Sequence, residues 1–424
     1  MNDSLQLGAQ VDAAAAALEP KVIAWRRDFH QHPELSNREI RTAGAVAGHL
    51  RALGLAVQTG VAHTGVVGLL DCGKRGPVIA LRADMDALPV TEQVDLPFAS
   101  KQRTTFNGQE VGVMHACGHD CHVAVLMGVA ELLAGMKTQL RGRIKFIFQP
   151  AEEGPPPGEE GGAALMIKQG VLENPQPDVI FGLHVFAGVE AGTIAYRPGP
   201  AMASSDRIRI TVNGRQTHGA LPWRGVDPIV ISSQIVLGLQ TIVSRQVDVT
   251  LEPAVVSIGA IKGGVRDNII PDAVEMLGTV RTFNEEMRAD IHERIRNTVE
   301  FIARSAGASA QVQFDNAYPV TVNDIPLTER MLPTLERVAG KDKVFVGQKI
   351  TGCEDFSYYQ QKVPGFFYFI GITPRRIDQS GVDPKHSAPN HSPRFFVDES
   401  GLLLGVRSLA HLTLDYMASP PKVG

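Results

Sequence analysis

Four segments of the chain are nearly continuous apolar runs: Val78–Ala83, Ile144–Phe148, Val179–Val185 and Phe366–Ile372. Such runs suit strands buried on both faces, as in a mostly parallel sheet covered by helices. Helical stretches alternate with them, among them Cys121–Gly135 and Leu327–Val338, the latter with its apolar residues at helical spacing. The middle of the chain reads differently. Arg207–Val212 alternates strictly, with Ile208, Ile210 and Val212 on one face, and Gln311–Phe314 alternates too, as antiparallel strands with one wet face do. Between them lie two helical stripes, Ile231, Ile235, Leu239, Ile242 and Ile291, Ile295, Val299, Ile302, and two more strands, Val255–Ile261 and Val274–Val280. Strand–helix–strand–strand–helix–strand is the order of a ferredoxin-like split βαβ unit. Turn-rich segments, Arg197–Pro200 and Tyr318-Pro319, bracket it. The pattern predicts an α/β fold in which a large α/β domain with a mixed, mostly parallel sheet (residues 1–197 and 319–424) carries an inserted small α+β domain (198–318).

Composition narrows the class. The 424 residues are 44% hydrophobic and 20% charged, ordinary for a globular protein. Lys+Arg minus Asp+Glu is 41 − 45 = −4, so no basic excess points to nucleic acid or a membrane surface. No apolar run approaches the roughly 18 residues of a membrane span. The alanines at 13–17 lack a basic segment before them and do not read as a signal peptide. Four cysteines are too few for a disulfide scaffold and suit a reducing compartment, so a cytoplasmic enzyme is expected.

In an open α/β sheet, ligands bind beyond the carboxyl ends of the strands. Val78–Ala83 runs into Asp84-Met85-Asp86, Ile144–Phe148 into Gln149-Pro150-Ala151-Glu152-Glu153, and Val179–Leu183 delivers His184. Between the first two lies His115-Ala116-Cys117-Gly118-His119-Asp120-Cys121-His122, just ahead of a helix. Each piece alone has an ordinary explanation: a hydrogen-bonded core histidine, solvated carboxylates, buried thiols. Together at one sheet edge they form the donor set of divalent transition metals. Cys117 with His119 also admits a thiol nucleophile and its base, although side chains at i and i+2 do not ordinarily face each other.

These segments resemble the M20 metallopeptidase family, in particular its N-acyl-amino-acid amidohydrolases, which include hippurate hydrolases and auxin-conjugate hydrolases. The matching segments are Asp28–Ser36, Arg82–Pro89, His115–His122, Gln149–Glu153, Gly182–Val185, Thr217–Ala220, Asp267–Pro271, Glu354–Ser357 and His391-Ser392-Pro393. The resemblance implies two divalent ions per subunit (Zn, Mn, Co or Ni) held by Cys117, His119, Glu153, His184 and His391. Cys117 would bridge, with Glu153 and His391 completing one position and His119 and His184 the other. It implies Glu152 as the proton carrier, and His218 as the oxyanion donor, reaching in from a partner subunit's inserted lid domain. Asn268 would help hold the substrate. In peptidase relatives a ligand His stands where this chain has Asp84, and that duty falls to His119. Asp86 would orient a ligand His through its second ring nitrogen, and Arg266 is a candidate clamp for a substrate carboxylate. His391 is preferred to His386 as ligand, because His-Ser-Pro followed by aromatic Phe395 matches the family. His122 reads as a packed or hydrogen-bonded residue, and His30 and His32 as fold-stabilising.

The implied activity is hydrolysis of small N-acyl-L-amino acids by a homodimer or higher homo-oligomer. A metal-dependent dipeptidase or carboxypeptidase, a non-catalytic metal- or conjugate-binding protein, and a thiol hydrolase are the rival readings.

Overall fold

The computed structural model describes residues 2–374 and 388–418. The chain divides into two compact units. The larger comprises Met1–Gly199, Asn323–Gly347 and Tyr358–Gly424. Its eight-stranded mixed sheet runs in the order Ala56–Val61, Gly65–Asp71, Arg143–Gln149, Val78–Asp84, Val179–Glu190, Gly365–Thr373, Ile194–Tyr196, Val344–Val346. The four apolar runs are the four central strands, and all are mutually parallel, so their carboxyl ends share one edge. The register sets Asp84 opposite Gln149 and Arg82 opposite Gly182, which brings the chemistry-bearing ends level.

Helices Asn2–Gln31, His119–Gly135 and Ser400–Ala418 pack on one another, and the latter two also on strands of the sheet. Val22, Leu126, Val129, Leu409 and Leu412 share one core with Leu81, Phe146, Phe181 and Phe366. The Tyr368 hydroxyl, fully buried, meets Ser408 Oγ at 2.7 Å, so this polar group costs little. The helix expected from Cys121 begins at His119, which places two histidines in its first turn.

The smaller unit is Pro200–Val322 together with Gln348–Ser357. It therefore extends past residue 318 and recruits a later segment that has no periodicity to announce it. Ala203 N donates to Ile350 O at 3.0 Å and Gly352 O at 3.1 Å, and Lys349 pairs with Glu252. Its four antiparallel strands run in the order Ala254–Gly263, Ala273–Thr282, Ser205–Asn213, Ser309–Tyr318. Helices Pro228–Thr241 and Glu285–Ser305 pack on them. Both helices start at side-chain caps: Asp227 accepts from Ile229 N and Val230 N ahead of Pro228, and Asn284 accepts from Met287 N. The stripes at Ile231, Ile235, Leu239, Ile242 and at Ile291, Ile295, Val299 are core residues, whereas Ile302 is only partly buried and Ala303 is enclosed.

Contrary to the expectation that no segment approaches a membrane span, Pro228–Gln246 covers 19 residues at mean hydropathy 1.2, enough by length and composition to cross one. Its apolar character has a local explanation, because the Ile231–Ile242 stripe faces the unit's own core.

Asp206, fully buried on the strand Ser205–Asn213, accepts from Arg288 Nε (2.9 Å) and from the other guanidinium arm (2.6 Å), and meets His292 Nε2 at 3.0 Å. Burial pushes its carboxyl up, but the bonds from His292 and Arg288 prevail and hold it below the usual 3.8. Its contribution to stability is therefore present above that pH and lost as pH falls through the lowered value. Asp206→Ala should destabilise the small unit by about 3 kcal/mol at neutral pH, with the difference shrinking in acid. Denaturant titrations at several pH values test this, and an unchanged midpoint at pH 7 would contradict it.

Candidate metal centre

The ends of the strands Val78–Asp84 and Arg143–Gln149, the start of the helix His119–Gly135 and the middle of the strand Val179–Glu190 build the site within the larger unit; His184, expected just beyond a strand end, lies inside a strand that continues to Glu190. Cys117 and His119 flank Gly118, whose φ of +93° belongs to the left-handed region. A Cβ on Gly118 would lie 2.3 Å from Val185 Cγ2, so only glycine lets the Cys117 loop approach the strand that carries His184. Ala151 is also left-handed, at φ +54°. That turn points the amides of Glu152 and Glu153 at one carboxylate: they donate to Asp86 Oδ1 and Oδ2, both at 3.0 Å. Asp86 also accepts from Ser36 Oγ at 2.7 Å and meets His119 Nδ1 at 3.2 Å. Behind this turn Glu39, wholly buried, accepts from Ala151 N at 3.0 Å. Burial and the charge of Asp86 push Glu39 up to about 8.

The three histidines each turn one nitrogen inward. With Nδ1 committed to Asp86, His119 Nε2 is buried without a hydrogen-bond partner and lies 3.9 Å from Glu152 Oε2. His184 Nδ1 can only donate to Val185 O, at 2.6 Å, leaving the Nε2 lone pair 3.4 Å from Cys117 Sγ. His391 Nε2 sits 3.3 Å from Cys117 Sγ and 3.0 Å from Glu153 Oε1. Donor atoms of Cys117, His119 and His184 lie within 4.8 Å of one another, as do those of Cys117, Glu153 and His391. Two triads thus share one sulfur. Thiolate, imidazole and carboxylate donors so spaced, around a buried and unpartnered ring nitrogen, fit a pair of divalent cations.

The electrostatics agree. Burial lowers the His119 imidazolium pKa, but Asp84, Asp86 and Glu153 together raise it to about 10, the mark of a strongly negative hollow. Burial and the carboxylates of Glu153 and Glu152 push the Cys117 thiol well up, which opposes a free thiolate nucleophile and leaves a cation as the natural source of its deprotonation.

A third group, Asp84, His119 and His122, has metal-ligand proximity. Its hydrogen bonds assign it other work. His122 Nδ1 meets Asp84 Oδ1 at 2.5 Å, and His122 Nε2 accepts from Val185 N at 2.9 Å, so both ring nitrogens are used. Asp84 in turn takes Arg82 at 2.5 Å. His30 bridges Asp120 (2.9 Å) and Glu92 (3.1 Å), whereas half-exposed His32 bonds Asp28 O at 2.8 Å. His386 lies outside the described residues.

The remaining candidates meet in the smaller unit. His218 pairs with Ile269, and Gly219 N donates to Asn268 O at 2.8 Å, which sets His218 beside Asn268. Arg266 lines an adjoining hollow of about 740 Å³ with Gly219, Pro222, Asp227 and Ile229. It is largely exposed, with Asp267 at 3.9 Å. Sequence reading missed Glu39, which accepts from Ala151 N, Asn37 N and Thr64 Oγ1, and Asn390, which binds backbone groups of distant segments.

The profile described as peptidase family M20/M25/M40 matches residues 80–415. The thermostable carboxypeptidase 2 of Saccharolobus solfataricus is 42% identical over 399 residues, covering 94% of this chain and 95% of its own. The N-acyl-L-amino acid amidohydrolase of Geobacillus stearothermophilus is 42% identical over 302 residues, covering 71% and 78%. Among solved structures, the Bacillus subtilis YxeP protein, titled a dinuclear metal-binding peptidase of the M20 family, superposes with a TM-score of 0.78 at 35% identity, covering 95% of this chain and 99% of that one.

Gly118→Ala should force the Cys117 loop away from Val185 and cost about 1–3 kcal/mol, with loss of bound metal. Metal analysis and thermal unfolding of the purified variant check this; full metal content at unchanged stability would contradict the packing argument.

Proposed function

The chain belongs to peptidase family M20/M25/M40 and is a metal-dependent hydrolase, and from that premise we propose that it cleaves the amide bond of N-acyl-L-amino acids. The observation that carries the reading is the shared sulfur: Cys117 stands in both triads, while Glu152 lies beside them on a buried, hydrogen-bonded turn. Cys117, Glu153 and His391 would hold one ion, and Cys117, His119 and His184 the other. Zn, Mn, Co and Ni all suit such donors. When bound, the two cations polarise the amide carbonyl and lower the pKa of the attacking water.

The side chains supply the rest. Glu152 takes a proton from the attacking water and returns it to the amide nitrogen as the C–N bond breaks, so the products are a carboxylate and a free amine. Asp86 orients His119. His218 donates to the developing oxyanion: its Nδ1 accepts from Ala220 N at 3.0 Å, so the proton sits on the exposed ring edge at Nε2. Asn268 holds the substrate, and Arg266 its carboxylate. The small unit, with its split βαβ order, serves as a lid and dimerisation domain, and His218 acts on a partner subunit's centre. Its strand Ala254–Gly263 lies at a sheet edge with Ile261 exposed, and Leu237 on the helix Pro228–Thr241 is 71% exposed, as a second copy of the chain would require. Cys72, Cys117 and Cys121 are buried thiols outside any disulfide, in accord with a cytoplasmic setting.

Carboxypeptidase action is the second reading, favoured by the name of the archaeal relative. Side-by-side assays of acetyl- and benzoyl-amino acids against dipeptides separate the two.

Exhaustive chelation should abolish turnover, and Zn²⁺, Mn²⁺ or Co²⁺ should restore it. Glu152→Gln should keep its metal yet lose about 10²–10⁴-fold in kcat; retained turnover would move the proton carrier elsewhere. Glu152→Gln and His218→Ala, each inactive alone, should regain activity when their subunits are mixed and re-assembled, because one site in the mixed dimer is intact. Failure to complement would contradict His218 acting across subunits.

A further inference from the structure

Asp86 gathers the backbone of Glu152 and Glu153 and the ring of His119. The other three ligands, Cys117, His184 and His391, come from three separate segments with no carboxylate in common. One carboxamide joins them. Asn390 Nδ2 donates to Cys117 O at 3.0 Å and to Val185 O at 3.3 Å, and Asn390 Oδ1 accepts from Ala187 N at 3.0 Å. The next residue completes the tie: His391 N donates to Ala116 O at 2.7 Å, with His391 in the left-handed region at φ +71°. For a side chain other than glycine that backbone is strained, and it persists only where the surroundings fix it.

The Val185 carbonyl is the informative contact. It accepts from Asn390 and also from His184 Nδ1, the bond that leaves the His184 Nε2 lone pair facing Cys117. The Val185 amide, in turn, is held by His122. Asn390 therefore acts on a ligand's tautomer and direction as well as on its position.

We propose that Asn390 is a positioning residue of the dinuclear centre, locking the Cys117 loop, the strand segment at His184 and the His391 turn into one scaffold that serves both metal positions. This rests on the two-ion reading above. Oxygen and nitrogen ends are both needed: the amide donates to two carbonyls and accepts from one N–H, a pattern aspartate cannot supply despite its equal size. Loss of such an outer contact lowers metal affinity by about 10–100-fold.

The test is cobalt titration of the full-length metal-free protein, following the sulfur-to-cobalt band in the near ultraviolet and the visible bands that report coordination. Asn390→Ala and Asn390→Asp should both bind Co²⁺ about 10–100-fold more weakly, with a diminished sulfur band. Asp206→Ala, destabilised elsewhere in the chain, should keep wild-type affinity and spectrum. Wild-type affinity and spectrum in either Asn390 variant would overturn the role. A weakened spectrum in Asp206→Ala equal to that of the Asn390 variants would also overturn it, by showing general destabilisation as the cause. Wild-type protein that takes up no cobalt would overturn the metal centre itself, and this role with it.

Discussion

Concentrated negative charge in a buried hollow is the constraint on which the rest of the molecule depends. Asp84, Asp86 and Glu152 are almost wholly inaccessible, and Glu153 and the Cys117 thiol lie beside them. Arg82 answers Asp84. Buried charge is costly, and hydrogen bonds and single histidines offset this cluster of carboxylates only in part, so the hollow favours cations. The perturbed groups report the same imbalance: His119 is driven up to about 10 and Cys117 well above a normal thiol. Two divalent ions would reverse both tendencies, favouring the Cys117 thiolate and the neutral imidazole of His119.

Such a hollow survives only if its donors cannot move apart. The parallel strands provide the base, because their register levels the ends at Asp84 and Gln149. Above it stand two hubs of hydrogen bonds. Asp86 fixes His119 and the Glu152–Glu153 turn, and Asn390 fixes the segments bearing Cys117, His184 and His391. The backbone strain at Ala151 and His391 falls on these two hubs, as expected where orientation is maintained against local preference. Glu152 is held through its backbone amide by Asp86, which suits the proton-carrying role proposed for its carboxylate.

Much of this was legible in the sequence, and the residues show why. Fully buried strands have few polar interruptions, so the four central ones announced themselves, and with them His184 and Glu153, while the Cys117–His119 pair stood out as a cluster ahead of a helix. The small unit was legible through alternation at Arg207–Val212 and through two stripes. Segments without a period were lost. The strand Ala56–Val61 is mostly exposed, broken by Gln58, Thr59 and Gly60, and lies at a sheet edge, and Gln348–Ser357 joins its unit through a few backbone bonds and the Lys349–Glu252 pair. Asn390 and Glu39 were illegible for a different reason. They bind peptide groups distant in sequence, and no spacing rule connects Asn390 with Val185 or Glu39 with Ala151.

Anomalous X-ray scattering from crystals of the zinc- or manganese-loaded protein tests the central claim most directly. The account predicts two anomalous peaks per subunit, one on each side of Cys117 Sγ, the first in contact with Glu153 and His391 and the second with His119 and His184. A single peak, or a pair that leaves Cys117 outside the coordination shell, would contradict it.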